Sequence, residues 1–218
     1  MIKFPNVADV VAEGTSGNVE IRHIVVDKRA ADFTRLRAAL HPGREVAVEE
    51  GKYAQLFVDG VLMMSDTASE RLSNAGIVRS ARGHVLIAGL GLGMIVHPMA
   101  AKREVKSITI VELSPDVIKL VGGTLPKKAK VVEGSIFDFK PPTGTKYDTI
   151  YFDIWPDIST ENLKDMSRLH RRFWRYLTDD SIMDSWERDV LLYRREQERR
   201  ARRSNPYAGM VRCGTFRS

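Results

Sequence analysis

Cysteine is almost absent from this chain. Cys213 is the one cysteine among 218 residues, which excludes an internal disulfide and any cysteine-rich metal site. Long apolar runs are absent too: the longest, around residues 85–93, is far shorter than the ~18 residues of a membrane-spanning helix. The first 14 residues contain one lysine and no sustained apolar stretch, so they do not resemble a secretory signal. We therefore expect a soluble, cytoplasmic protein with no membrane partner.

The sequence also lacks a strong charge of one sign. Its 34 Lys and Arg residues and 28 Asp and Glu residues give a net charge of +6, which is compatible with an anionic ligand without requiring one. Residues 194–203 hold six arginines and two glutamates. We interpret them as the solvated end of a helix with Glu–Arg pairs. The alternative is a segment that binds nucleic acid or an acidic partner. It is disfavoured because no aromatic residues alternate with the arginines, so nucleic acid is not expected as a partner.

Histidine is sparse and scattered. The chain has five histidines, and none has a second histidine or a carboxylate at the spacing of metal ligands. We therefore expect no metal site. Hydrophobic residues make up 43% and charged residues 28% of the chain, which is the composition of a folded globular protein.

The local pattern divides the chain into three parts. Residues 1–65 read as a small β-rich N-terminal unit, in which Asp59-Gly60 between two apolar runs indicates a tight hairpin. Residues 66–203 read as one α/β domain, whose first helix at 66–80 would be capped by Ser65 or Asp66. Residues 204–218 are expected to form a loosely ordered tail.

Apolar strands alternate with helices throughout the second part. Strands are predicted at 84–88, 107–112, 129–133, 147–153 and 181–184, and helices at 94–103, 116–121, 161–176 and 186–203. Such alternation indicates a parallel sheet with helices on both faces, hence a Rossmann-like open α/β fold. The strand order expected for this fold is 3-2-1-4-5.

A glycine-rich turn follows the first of these strands. Gly89, Gly91 and Gly93 lie between a strand and a helix, where glycine allows a sharp turn and lets a ligand approach the backbone. The dinucleotide pattern would need a glycine at 94, where Met94 stands; the observed G-x-G-x-G is the form used by S-adenosylmethionine enzymes. Glu112 ends the next strand, as an acidic ligand of a ribose diol does.

Further candidates follow the other central strands, because ligands of open α/β sheets bind outside the carboxyl ends of the strands. After the third strand, Ser135 or the backbone beside it would meet an adenine amino group, and Ile136 would pack on the ring. After the fourth strand, Asp153 lies where the reacting part of a ligand is expected. With Leu90 in the turn and Leu113 after Glu112, the cofactor-binding set is Gly89, Leu90, Gly91, Gly93, Glu112, Leu113, Ser135, Ile136 and Asp153.

Four motifs resemble the spermidine synthase-like branch of the class I S-adenosylmethionine-dependent methyltransferase superfamily. They are LFVDGVLM, VLIAGLGLG, VELSPDVIKL and YDTIYFD, and the resemblance covers roughly residues 55–160. It implies the methyltransferase fold and S-adenosyl-L-methionine, or its decarboxylated form, as the cofactor. The chain departs from the family at Ser114 and Ser135, where acidic residues are usual. After the fourth strand it has Asp153-Ile154-Trp155-Pro156-Asp157 where aminopropyltransferases have D-[ST]-[ST]-D-P.

Three functions remain open at this point. The first is a methyltransferase acting on a small acceptor, with Asp153 as the base. The second is an aminopropyltransferase, in which Asp153 and Asp157 would be the paired carboxylates that hold a polyamine. The third is a nucleoside-binding protein on a catalytically degraded fold. A homodimer is compatible with each of them.

Overall fold

The structure is a computed structural model that describes residues 3–41 and 46–204. It begins with a four-stranded antiparallel sheet of order β1-β2-β3-β4. The strands are β1 (Gly14–Ser16), β2 (Val19–Val26), β3 (Gly51–Val58) and β4 (Val61–Ser65), with a short 3-10 turn at Val7–Asp9 and helix α1 (Lys28–Leu40) after β2. Helix α2 (Ala68–Ser80) connects this sheet to the second one. Residues 205–218, for which a loose tail was expected, lie outside the described residues.

The second sheet has five parallel strands of order β7-β6-β5-β8-β9. They are β5 (Gly83–Ala88), β6 (Val105–Glu112), β7 (Ala129–Glu133), β8 (Tyr147–Phe152) and β9 (Leu177–Ser185), separated by α3 (Val96–Ala101), α4 (Pro115–Val121) and α5 (Asn162–Phe173) and followed by α6 (Arg188–Ser204). Short 3-10 turns at Gly122–Thr124 and Trp174–Tyr176 follow α4 and α5. The predicted open α/β fold and its 3-2-1-4-5 order are confirmed. Within the described ranges, no helix is long and apolar enough to cross a bilayer.

Strand β5 lies at the centre of the molecule. Its residues Val85, Leu86, Ile87 and Ala88 are all 0% exposed, as expected for a strand covered on both faces. Alternate side chains point to opposite faces. Val85 and Ile87 belong to a core shared with the N-terminal sheet, whereas Leu86 and Ala88 pack in a second core with α5. The division at residues 65 and 66 remains a prediction, since the first core is continuous across it.

The predicted hairpin turn is confirmed. Asp59 and Gly60 connect β3 to β4 with φ angles of 52° and 74°. Two positive φ angles in a two-residue loop match the right-handed twist of the strands. This turn folds β4 back along β3 and so places the two methionines of β4, Met63 and Met64, at the rim of the second sheet.

Two helix boundaries differ from the prediction. Helix α2 begins at Ala68 after Thr67, and the expected capping by Ser65 or Asp66 is wrong. Asp66 is instead fully buried and accepts hydrogen bonds from the backbone N–H groups of Val7 and Ala54, so its carboxylate is committed to the tertiary structure. Helix α3 is shorter than predicted, because the glycine turn continues through Ile95 before the helix begins.

Candidate functional site

A cavity of about 430 Å³ opens at the carboxyl ends of the parallel strands. Its floor is formed by the loops that follow β5, β6, β7 and β8, and Trp186 adds a wall after β9. The hairpin β3–β4 and helix α2 cover it from the other side through Leu56, Val58, Met63, Met64 and Glu70. The cavity therefore occupies the place where open α/β sheets bind their ligands.

The glycine turn forms one edge of this cavity, and two of its glycines are required by their surroundings. Gly89 has a φ of +93°, and a Cβ atom there would overlap the backbone carbonyl oxygen of Asp153. Gly91 has a φ of +50°, and its Cβ would overlap the sulfur of Met64. The space beside both α-carbons is therefore filled by neighbouring atoms of the fold, and only glycine fits there in this conformation.

Glu112 ties the turn to the neighbouring strand. Its Oε2 accepts a hydrogen bond of 2.7 Å from the backbone N–H of Leu90, and its Oε1 accepts one of 2.8 Å from the backbone N–H of Ser114. The side chain is 9% exposed and lines the cavity. Each carboxylate oxygen can accept a second hydrogen bond, so Glu112 retains the capacity to bind two hydroxyl groups. Ser114 caps α4, since its hydroxyl accepts from the N–H of Val117.

Two carboxylates face the reacting end of the cavity. Asp153 follows β8, and burial together with the charge of Glu70 raises its pKa from 3.8 to about 7. Burial also raises the pKa of Glu70, an effect strengthened by Glu187 and partly offset by a backbone hydrogen bond from Ser65. Near neutral pH, Asp153 is therefore divided between its acid and base forms, as a general base requires.

The remaining lining is aromatic or apolar. Trp155 and Trp186 both border the cavity, and the indole N–H of Trp186 donates to the hydroxyl of Ser73 on α2 at 3.3 Å. Among the described residues, the lining contains three carboxylates and no lysine, arginine or histidine. The local field is thus negative, and aromatic faces near negative charge favour a cationic ligand.

Most of the predicted residues come together in this cavity. They are Gly89, Leu90, Gly91, Glu112, Leu113, Ser135, Ile136 and Asp153. Ile136 is buried, the Ser135 hydroxyl accepts from the N–H of Phe137 at 3.2 Å, and Leu113 is 70% exposed at the rim.

Two predicted residues lie elsewhere. Gly93 faces α4 and the loop after it, where its Cβ would come within 3.3 Å of Val121 and Leu125. Asp157 is exposed outside the lining, and its carboxylate accepts a hydrogen bond from the amide of Asn162. The loop turns away from the cavity after Pro156 and ends in the first turn of α5. The pairing of Asp153 with Asp157 is therefore not supported by the geometry.

The sequence pattern did not point to Glu70 or Trp186 as site residues, nor to Met63 and Met64. Glu70 lies two residues inside α2, and its side chain faces Asp153 only because the hairpin and α2 fold over the edge of the second sheet. The Asp59-Gly60 turn was the one sequence signal that pointed toward these residues, because it fixes the direction of β4. No spacing rule connects residue 70 to residue 153.

Comparisons with known proteins give partial similarities. No family model matches the chain. The polyamine aminopropyltransferase of Oceanobacillus iheyensis is 28% identical over 132 residues, which are 53% of this chain and 25% of that protein. The chain thus spans about a quarter of the length of this curated relative.

Solved structures overlap with about half of the chain. A methyltransferase described as putative from Pseudomonas syringae is 17% identical with a TM-score of 0.44, over 58% of this chain and 85% of that one. The complex of DhpI with SAH is 19% identical with a TM-score of 0.40, over 54% and 53% of the two chains. The CcbJ methyltransferase of Streptomyces caelestis is 18% identical with a TM-score of 0.39, over 53% and 46%. Overlaps of this quality carry no functional argument.

Proposed function

We propose that this protein is a transferase that binds S-adenosyl-L-methionine, or its decarboxylated form, and moves an alkyl group from the sulfonium to a small acceptor. The observation that carries the proposal is the convergence of the glycine turn, Glu112 and Asp153 in one cavity at the carboxyl ends of three adjacent strands. The partial similarity to a curated aminopropyltransferase, over 53% of this chain, supports a group-transfer enzyme.

The residues present suit the parts of this ligand. Glu112 would accept hydrogen bonds from the ribose hydroxyls with its two remaining acceptor positions. Ile136 offers an apolar surface for the adenine ring, and Ser135 or its backbone would meet the adenine amino group. Gly89 and Gly91 line the cavity beside Asp153, and the chain that bears the sulfonium would lie along this turn.

Asp153 is the group that we assign to the chemistry. An alkyl group moves by displacement at carbon: the acceptor lone pair forms the new bond, and the electron pair of the carbon–sulfur bond stays on sulfur. Such a reaction depends mainly on orientation and electrostatics. The proton that the acceptor loses would pass to the Asp153 carboxylate, whose pKa of about 7 suits a base at neutral pH. Methyl transfer needs no further base and is our first candidate.

Aminopropyl transfer is the second candidate, and the charge of the cavity favours it. Glu70, and not Asp157, provides the second carboxylate beside Asp153. Among the described residues that line the cavity, none has a basic side chain that would neutralise this pair. Such a site suits an amine that arrives as a cation. The partial similarity to a polyamine aminopropyltransferase points the same way.

Binding and product formation separate the candidates. Calorimetric titration with S-adenosyl-L-methionine and with the decarboxylated compound tests the site, and NAD serves as a control because Met94 replaces the glycine of the dinucleotide pattern. Incubation with small acceptors and a polyamine panel should then release S-adenosylhomocysteine in methyl transfer or methylthioadenosine in aminopropyl transfer. Binding without either product would indicate the nucleoside-binding protein. If neither adenosyl compound binds, the proposal is wrong.

A further inference from the structure

Helix α6 carries a row of arginines that the proposed function does not use. Arg195, Arg199, Arg202 and Arg203 follow one another at the spacing i, i+4, i+7 and i+8, which places them on one side of the helix. All four are exposed. The helix packs through Leu191 near its beginning, and the residues from Tyr193 onward are largely in solvent.

The side chains of these four arginines form no hydrogen bond or close ion pair within the described part of the chain. Arg200 pairs with Glu196 at 3.0 Å, and Arg194 donates to the carbonyl of Ile158 at 3.1 Å. The pKa of Glu196 is lowered by its hydrogen bond with Arg200 and also by the charges of Arg199 and Arg203. One glutamate is thus shared among three arginines, so the run keeps an excess of positive charge that an anionic partner would neutralise.

A second basic row lies on the neighbouring helix. Helices α5 and α6 pack together through Leu163, Met166 and Leu191. The residues of the second row are exposed and extend along α5 into the short turn after it: Lys164, Arg168, Arg171 and Arg175. The guanidinium of Arg168 lies over the ring of Phe137, and none of the four forms an ion pair in the described ranges. Two packed helices therefore each present unpaired cations to solvent.

We propose that the arginine row of α6, supported by the basic row of α5, binds the phosphate backbone of duplex nucleic acid. Four residues of helix rise about 6 Å, so the row presents closely spaced guanidinium groups, and a guanidinium matches a phosphate with two parallel hydrogen bonds. No aromatic residue alternates with the arginines of 194–203, which disfavours base stacking on single strands along α6. The outer half of α6 has no apolar face, which disfavours a membrane surface.

This surface is distinct from the acidic cavity, so the proposal is independent of the proposed function. Its test uses the full chain and short labelled duplexes of DNA and of RNA with one sequence, with binding followed by fluorescence anisotropy between about 50 and 200 mM salt. The variant Arg195→Gln/Arg199→Gln/Arg202→Gln removes three charges with little change in helix propensity. The variant Arg103→Gln/Lys106→Gln/Lys127→Gln removes three exposed charges beside β6 and β7, at the edge of the second sheet opposite β9, and serves as the matched control.

We expect the wild type and the control to bind duplex with similar affinity, and the α6 variant to bind at least about tenfold more weakly. Because each phosphate contact contributes about 0.9 to the slope of log K against log salt, the slope of the α6 variant should be shallower by up to about 3. Lys164→Gln/Arg171→Gln should weaken binding by a smaller factor. Circular dichroism confirms that each variant is folded.

Three results would overturn the proposal. One is equal binding by the wild type and the α6 variant. Another is equal weakening in the control, which would show attraction by bulk charge alone. The third is tighter binding of polyglutamate than of either duplex, which would assign the rows to an acidic protein. A preference for DNA or RNA duplex would identify which source of phosphates the surface selects.

Discussion

The carboxylate of Glu112 accepts a hydrogen bond of 2.7 Å from the backbone N–H of Leu90, a residue 22 positions earlier in the chain. Its other oxygen accepts from Ser114. One side chain at the end of β6 therefore fixes both the glycine turn after β5 and the approach to α4. It does so while facing the cavity, so the turn that receives the ligand and the group that binds it are positioned together.

Replacing Glu112 with alanine should weaken binding of S-adenosyl-L-methionine. Loss of a hydrogen bond to a charged group costs roughly 1.5–3 kcal/mol, and calorimetric titration measures that difference directly. Glu133→Ala is the matched control, because Glu133 pairs with Glu112 across β6 and β7 but is exposed outside the lining. Unchanged affinity in a folded Glu112→Ala protein would remove Glu112 from the site.

Alanine should be tolerated much less well at Gly89 than at Gly91. Both have positive φ angles, which cost a residue with a Cβ atom roughly 1–2 kcal/mol. At Gly91 the clash is with the flexible end of Met64, whereas at Gly89 it is with the backbone carbonyl of Asp153. We expect urea unfolding to show a loss of about 1–2 kcal/mol for Gly91→Ala and more than about 4 kcal/mol for Gly89→Ala. Equal losses would contradict this difference in rigidity.

The fold was predictable because its signals are local. Strand β5 is apolar and buried on both faces from Val85 to Ala88, and the Asp59-Gly60 turn needs two positive φ angles that few other residue pairs adopt. Glu112 and Asp153 could be placed because parallel strands bring their carboxyl ends to one edge. Glu70 and Trp186 could not, since their positions depend on how the hairpin and α2 pack over that edge.

Asp66 is another residue whose role depends on tertiary contacts and could not be predicted from its neighbours in the sequence. Its position before α2 suggested a helix cap, yet its carboxylate is used by partners 59 and 12 residues away, Val7 and Ala54. Hydrogen bonds across the fold replaced the local one, because the carboxylate is fully buried and a buried charged group needs hydrogen-bond donors close to it.

Asp66→Ala should therefore be among the most destabilising single changes. It would leave two buried backbone N–H groups unpaired and break an ion pair with Arg71 at 3.0 Å. Removing one partner of a buried pair costs about 3–5 kcal/mol, measurable as a shift in the urea midpoint. Asp157→Ala, which removes an exposed hydrogen bond donated by the amide of Asn162, should cost far less. A small loss at Asp66 would show that water replaces its contacts.

Asp153 should make the stability of the protein depend on pH. Its folded-state pKa of about 7 lies above the usual 3.8, so between these values the folded protein holds a proton that the unfolded chain has lost. Stability from this group is present below about pH 4 and is lost as the pH rises through about 7. Relative to Asp153→Asn, the wild type should therefore be less stable at pH 8 than at pH 5. A difference that does not vary with pH would contradict the raised pKa.

The same carboxylate should govern turnover. Asp153→Asn keeps the shape of the side chain and removes its basicity, so we expect loss of turnover with donor affinity within about tenfold of the wild type, a pattern that assigns the residue to the chemical step. Asp157→Asn should retain activity, because Asp157 is exposed outside the cavity lining.

The pH profile of turnover tests the assignment further. Burial and the charge of Glu70 raise the pKa of Asp153 to about 7. Since the base must be ionised, the rate should rise as the pH increases through that value. Glu70→Gln removes the neighbouring negative charge and should shift that midpoint to lower pH. If Asp153→Asn remains fully active, the acceptor needs no base from this carboxylate. If it binds donor much more weakly, Asp153 holds the ligand instead. In either case Asp153 is not the group that takes the proton from the acceptor during alkyl transfer.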